Sequence, residues 1–235
     1  MNDPTLDTLV DDIYSLFTDG PANHIRDDAI EDLGRNIARV IHSRLKEVRV
    51  EEPGRLRLSS IGVPCERKGW YKTRADVREA LSGPTLIKFL YGDILEELLL
   101  FFAEQAGHKV TGRQSTLTVA GVNGHRDAVI DGVTVDVKSA SSFSFNKFRS
   151  GLTDDSDPFG YLTQLGGYVC AGRDDDLVEC KGVGAFVAID KQHGTICVDT
   201  HWFNDKDTED FIEYRKGVLT GEDMPERAFD PVPDG

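Results

Sequence analysis

Asp127, Asp136 and Lys138 are residues whose types and spacing can do chemistry together. They lie in the run Gly124-His125-Arg126-Asp127-Ala128-Val129-Ile130-Asp131-Gly132-Val133-Thr134-Val135-Asp136-Val137-Lys138. Asp131-Gly132 favours a two-residue type I′ hairpin turn, because both central positions need positive φ. A turn there pairs Ile130 with Val133 and, counting outward, Asp127 with Asp136. Side chains alternate along each strand, so Asp127, Asp136 and Lys138 share one face, and Ala128, Ile130, Val133, Val135 and Val137 form an apolar opposite face. Directly opposed residues have Cβ atoms about 5 Å apart, and like charges at that spacing destabilise a hairpin. Two carboxylates kept so close can hold a cation, and hard oxygen ligands select Mg²⁺ or Mn²⁺ over zinc. The plain alternative is a solvated charged face on which Lys138 partly neutralises two aspartates. The cross-strand register argues against it, since a slip of one residue would scatter the three groups.

Other segments carry groups that could complete such a site. Pro84 can open a helix, where its missing N–H does no harm. Apolar residues then run from Leu86 to Phe102, and Gly107 ends the element. Glu96 and Glu97 sit on this helix, and an acidic residue in apolar company needs a partner. Either could reach the same cation if the helix packs beside the hairpin. Gln164 and Tyr168 are four apart and share a helical face. Gly166-Gly167 between them costs about 1 kcal/mol per glycine relative to Ala, which suggests close approach by another backbone or a phosphate chain. Ser59-Ser60 with Arg67, Trp70 and Tyr71 reads as a phosphate-and-base platform, the guanidinium forking onto phosphate and an aromatic ring stacking on a base. The competing reading puts both aromatics in the core. His125 would stand opposite Lys138, where it could touch substrate.

Gly124-x-x-Asp127 followed by Asp136-Val137-Lys138 resembles the PD-(D/E)xK nuclease superfamily, with Arg126 in place of the proline. The resemblance implies metal-dependent phosphodiester hydrolysis. Asp127 and Asp136 would bind the metal, the Val137 carbonyl would be a further ligand, and Lys138 would position or activate the attacking water. Gly92-x-x-x-Glu96 is similar to the Gly-x-x-x-His signature of RecB-type nucleases, with Glu96 in the histidine position. Gln164-x-x-x-Tyr168 resembles a signature of RecB-type and phage exonucleases. Ser59-Ser60, Cys65, Arg67, Trp70 and Tyr71 resemble the N-terminal motif of phage exonucleases and of the iron–sulfur exonucleases of CRISPR adaptation. In the iron–sulfur relatives a cysteine here joins three closely spaced ones. Cys170, Cys180 and Cys197 are far more widely spaced than usual iron–sulfur ligand runs, so no cluster is expected.

The elements that must position these residues follow from periodicity. Residues 4–48 read as a helical pair, 50–83 as loop-rich, and the helix after Pro84 comes next. Strands are expected at 108–119, 124–131 and 133–139, then a polar stretch Ser139 to Phe148, a helix at 158–171, strands at 183–189 and 195–202, and a helix at 208–218. This order (helix, three strands, helix, two strands) is that of a restriction-endonuclease-like α/β core, a central mixed sheet flanked by helices. The division expected is an N-terminal helical appendage at 1–50, a nuclease core at 51–219 and a frayed tail at 220–235.

Composition sets the outer bounds. The 235 residues are 39% hydrophobic and 29% charged, which suits a soluble globular chain. There is no apolar run of spanning length and no signal-peptide pattern, and the four cysteines form no C-x-x-C pair, so a cytoplasmic setting (host cytoplasm if viral) and no membrane partner are expected. A net charge of −14 argues against a general nucleic-acid binder. Local field matters more than net charge, however, and Arg67, Lys68, Lys72, Arg74, Arg78 and Lys88 form a basic stretch. The reading that results is a Mg²⁺- or Mn²⁺-dependent exonuclease acting on DNA ends, in phage or mobile-element recombination and DNA processing. The alternatives are a non-catalytic nucleic-acid or protein-binding module on the same fold, and a structure-specific endonuclease.

Overall fold

The computed structural model describes residues 5–20, 24–46, 55–74 and 81–228. In chain order the elements are α1 (Leu9–Thr18), α2 (Asp27–Lys46), α3 (Leu58–Ile61), α4 (Glu66–Lys72), α5 (Gly83–Gln105), β1 (Val110–Thr111), β2 (Thr116–Val119), β3 (Val122–His125), β4 (Ala128–Ile130), β5 (Val133–Ala140), α6 (Ser142–Arg149), a 3₁₀ turn (Asp154–Ser156), α7 (Tyr161–Ala171), β6 (Val183–Asp190), β7 (Ile196–Trp202) and α8 (Asp205–Thr220).

Turn chemistry sets the register at the centre of the sheet. Asp131 and Gly132 take φ of 48° and 77°, as a type I′ turn requires. Ile130 pairs with Val133, Val129 with Thr134 and Ala128 with Val135. The five-stranded sheet has the order β1-β4-β5-β6-β7. β5 and β6 are parallel, with Asp136 beside Phe186 and Lys138 beside Ala188, and the other neighbours are antiparallel. The expected α/β architecture, a mixed sheet flanked by helices, is therefore present.

Alternation divides the two faces. Ala128, Ile130, Val133, Val135, Ala185 and Val187 pack on Leu9 and Ile13 of α1 and on Leu99, Leu100 and Ala103 of α5. Phe186, Ala188 and Ala140 on the other face pack on Phe145 and Phe148 of α6 and Leu165 of α7. A further cluster around Leu58, Ile61, Val122, Tyr168 and Ile212 joins α3, the β2–β3 hairpin, α7 and α8. α2 lies along α5 with none of its side chains buried, and its Arg44 is ion-paired with Asp93.

Three expectations change. The strands expected at 108–119 and 124–131 are each broken, and β2 and β3 form a separate two-stranded sheet. The first break is at Gly112 and Gln114, which take φ of 57° and 51°. The second is at Arg126, whose side chain is fully buried and ion-paired with Asp175. His125 consequently pairs with Thr116 and does not oppose Lys138. The stretch after Ser139 contains helix α6, started by Ser141, whose side chain accepts from the Ser144 N–H. The stretch expected to be loop-rich contains the short helices α3 and α4. Residues 47–54 and 75–80, Arg78 among them, lie outside the described residues. Among the described residues, no helix is long and apolar enough to cross a membrane.

Candidate active site

The site forms where β4 stops. The ladder between β4 and β5 ends at Ala128–Val135, one pair before Asp127 and Asp136. Ile130 and Val133 flank the turn as a hydrogen-bonded pair, so by alternation Asp127 and Asp136 form a non-hydrogen-bonded pair, in which side chains lie closer. The next β5 residue, Val137, then has its N–H and carbonyl facing where β4 would have continued. Asp127 Oδ2 accepts that N–H at 2.7 Å. A carboxylate thus replaces the missing strand, and the Val137 carbonyl faces the same opening.

Asp136 is 2% exposed. Its Oδ2 receives no well-aligned hydrogen bond and is held by the Lys138 ammonium as an ion pair. Its Oδ1 accepts from Gln164 Nε2 at 3.3 Å, and the same Nε2 lies 2.8 Å from the Tyr168 hydroxyl. Helical spacing thus brings the Gln164–Tyr168 pair of α7 onto the aspartate of β5. Tyr168 can approach because residue 124 is glycine: a Cβ there would fall 2.6 Å from the Tyr168 ring. Gly166 and Gly167 are close-packed too, against the Phe203 ring and the Leu58 and Ile212 side chains rather than another backbone. The Lys138 ammonium also lies 4.5 Å from the centroid of the Tyr161 ring.

Glu96 enters from α5. Its Oε1 accepts from Gln114 Nε2 at 2.6 Å, and that nitrogen is 3.4 Å from Asp127 Oδ1. Glu97 turns instead to Arg113 at 3.4 Å. The structure therefore places Glu96, not Glu97, beside the aspartates. Gln114 is a site residue that sequence reasoning missed. Its only signal was Gly112, a breaker inside an expected strand.

The electrostatics record a crowded pocket. Burial, together with the Asp136 and Glu96 carboxylates, holds Asp127 well above the usual carboxylate range. Burial first, then Glu97, Asp93 and Asp136, push Glu96 up to about 7, against the hydrogen bond from Gln114. Burial would lower the Lys138 pKa, but Asp136 and Asp127 outweigh it and raise the value. Among the described residues no three His, Cys, Asp or Glu groups already stand close enough to hold a metal ion. The Gln114 amide bridges Glu96 and Asp127, and the Lys138 ammonium meets Asp136, so donors stand between these carboxylates. The residues nevertheless fit a hard divalent cation: all three side chains offer oxygen, and Asp127 and Glu96 are each held above the usual carboxylate range by burial and by neighbouring carboxylates.

Of the residues expected to meet DNA, Ser59 and Ser60 lie on α3, which packs against Tyr168 of α7, and Arg67, Trp70 and Tyr71 lie on α4 and are engaged. Arg67 Nε donates to the Pro225 carbonyl at 2.7 Å, Trp70 Nε1 to the Gly221 carbonyl at 2.9 Å, and the Tyr71 hydroxyl to Met224 sulfur at 3.2 Å. They fasten residues 221–225 of the tail to α4. Ser60 Oγ donates to the Arg57 carbonyl at 3.0 Å, while Ser59 is exposed. Cys65, Cys170, Cys180 and Cys197 are free thiols.

No protein-family model matches the chain, and no curated protein matches it. Among solved structures it is similar to an alkaline exonuclease from Laribacter hongkongensis (LHK-Exo), with 13% identity, 79% of this chain and 93% of that chain covered, and a TM-score of 0.49. It is also similar to the protein SSO0001, with 14% identity, 83% of this chain and 88% of that chain covered, and a TM-score of 0.40.

Proposed function

We propose that this chain is a metal-dependent deoxyribonuclease that hydrolyses phosphodiester bonds from DNA ends. The observation that carries this reading is the convergence of Asp127, Asp136 and Lys138 with Glu96, Gln164 and Tyr168 through a connected set of hydrogen bonds and an ion pair where β4 ends. Four separate segments supply these groups, and a solvated charged face would not gather them.

Glu96, Asp127, Asp136 and the Val137 carbonyl would hold one or two Mg²⁺ or Mn²⁺ ions. A bound ion lowers the pKa of the attacking water and neutralises charge gathering on the phosphoryl oxygens. Lys138, kept charged by its aspartates, orients the water or offsets developing charge. Gln164 fixes the Asp136 carboxylate and shares its amide with Tyr168, so the helix holds the strand-borne ligand in one orientation.

Action from ends rests on the Gln164-x-x-x-Tyr168 pair, which resembles RecB-type and phage exonucleases, and on the segment Ser59 to Tyr71, which resembles phage exonucleases and the iron–sulfur exonucleases of CRISPR adaptation. Because Arg67 and Trp70 bind the tail, end recognition through them requires displacement of residues 221–225. The test is digestion of end-labelled linear DNA and covalently closed circles at equal concentration with Mg²⁺ or Mn²⁺. Loss of linear molecules alone supports the proposal. Circles degraded as fast as linear DNA would replace it with an endonuclease.

A further inference from the structure

Phe159 leaves 59% of its surface in water, yet its backbone is firmly mounted. The Asp157 carboxylate, itself buried, accepts from the Phe159 N–H at 3.2 Å, the Gly160 N–H at 3.0 Å and the Leu162 N–H at 2.8 Å. Gly160 takes φ of 75° and lies backbone to backbone against Gly62, so closely that a Cβ on Gly160 would fall 2.2 Å from the Gly62 oxygen. The ring is therefore displayed by a clamped loop.

Phe159 also has a defined route to the chemistry. Its ring lies 5.3 Å from the Tyr161 ring at 35°. Tyr161 carries the Lys138 ammonium on its face, and Lys138 is ion-paired with Asp136. A second aromatic, Phe143, is 77% exposed in the first turn of α6. Lys147 lies 5.4 Å from the Phe143 ring and donates to the Ser156 carbonyl at 2.8 Å, in the segment leading to Phe159. Asp154 and Asp155 are exposed on that same segment.

Scattered exposed apolar residues are ordinary. This one combines a clamped backbone, an aromatic neighbour and a lysine of the candidate site. Acidic side chains on the rim repel phosphate, so a strand passing here engages through its base faces. We propose that Phe159, backed by Tyr161, is the stacking platform for the nucleobase adjoining the scissile phosphate. The proposal rests on the nuclease reading given above. Every base has a π face, so the platform accepts bases without regard to sequence.

The test uses the full-length chain and a short single-stranded deoxyoligonucleotide carrying terminal 2-aminopurine, in EDTA to prevent hydrolysis. Wild type is expected to quench the fluorophore on binding. Phe159→Ala should lose the quench and bind about tenfold more weakly, the scale of one lost stacking contact. Phe159→Trp should keep both. The salt dependence of binding should be the same in all three, because no phosphate contact is altered. If wild type binds and hydrolyses DNA while Phe159→Ala matches it in quench and affinity, the platform is refuted and the nuclease reading stands. If wild type neither binds nor hydrolyses DNA, the nuclease reading fails and the platform with it.

Discussion

Replacing Glu96 with Gln should remove a pH dependence that the metal-free protein would otherwise show. Burial, with Glu97, Asp93 and Asp136 behind it, takes Glu96 from 4.5 to about 7. A carboxyl whose folded pKa is raised binds its proton more tightly in the native state than in the unfolded chain. Its stabilising effect is complete below the unfolded value and is lost as pH rises through the folded one. The window is therefore pH 4.5 to about 7, and metal-free stability should fall across it. At about 1.4 kcal/mol per tenfold change, the full effect is roughly 3 kcal/mol. In a chain of this size that is on the order of 6–12 °C in Tm. Gln keeps the size of Glu and an oxygen for the Gln114 amide at 2.6 Å, and loses only the titration. The two proteins should be equally stable near pH 4.5, and Glu96→Gln should be the more stable at pH 8 by up to that amount. Asp127 is raised in the same direction, so some slope will survive in the variant. Urea unfolding in EDTA at several pH values measures the difference directly. A stability difference that does not change with pH would show that Glu96 is not buried among like charges, and the electrostatic description of the pocket would be wrong.

The other expectations follow from the same geometry. Millimolar Mn²⁺ or Mg²⁺ should raise the melting temperature of wild type at pH 8, because binding to the folded state alone stabilises it; absence of both a thermal shift and a heat of Mn²⁺ binding would contradict the site. Lys138→Met should reduce hydrolysis by at least about a hundredfold while leaving far-UV circular dichroism unchanged, as the apolar face beneath β5 is untouched. Asp175→Ala should destabilise the protein by about 3 kcal/mol in urea titrations, because it strands the fully buried guanidinium of Arg126.

How much of this was legible in the sequence depended on how local the determining interaction was. Asp131-Gly132 announces its own backbone angles, so the pairing that aligns Asp127 with Asp136 could be counted from the turn. Gln164 and Tyr168 share a face by helical spacing alone, and the structure lays that face on Asp136. Glu96 could be separated from Glu97 only once packing turned one toward Gln114 and the other toward Arg113. Gln114 itself was out of reach, because its place depends on a left-handed backbone after Gly112. α6 was missed because Ser139 to Phe148 reads as a polar stretch; what makes it a helix is the Ser141 cap and the burial of Phe145 and Phe148. Arg126 interrupts the expected strand for a non-local reason, its pairing with Asp175.

The central claim is that these carboxylates and Lys138 hydrolyse DNA, and its most direct test is the release of acid-soluble nucleotides from linear DNA by wild type and Asp136→Asn. The substitution is nearly isosteric at a residue 2% exposed, so the fold should persist. Wild type should release nucleotides with Mg²⁺ or Mn²⁺ and stop on addition of EDTA, and Asp136→Asn should release almost none. No release by wild type at millimolar metal, or equal release by the variant, would contradict the account.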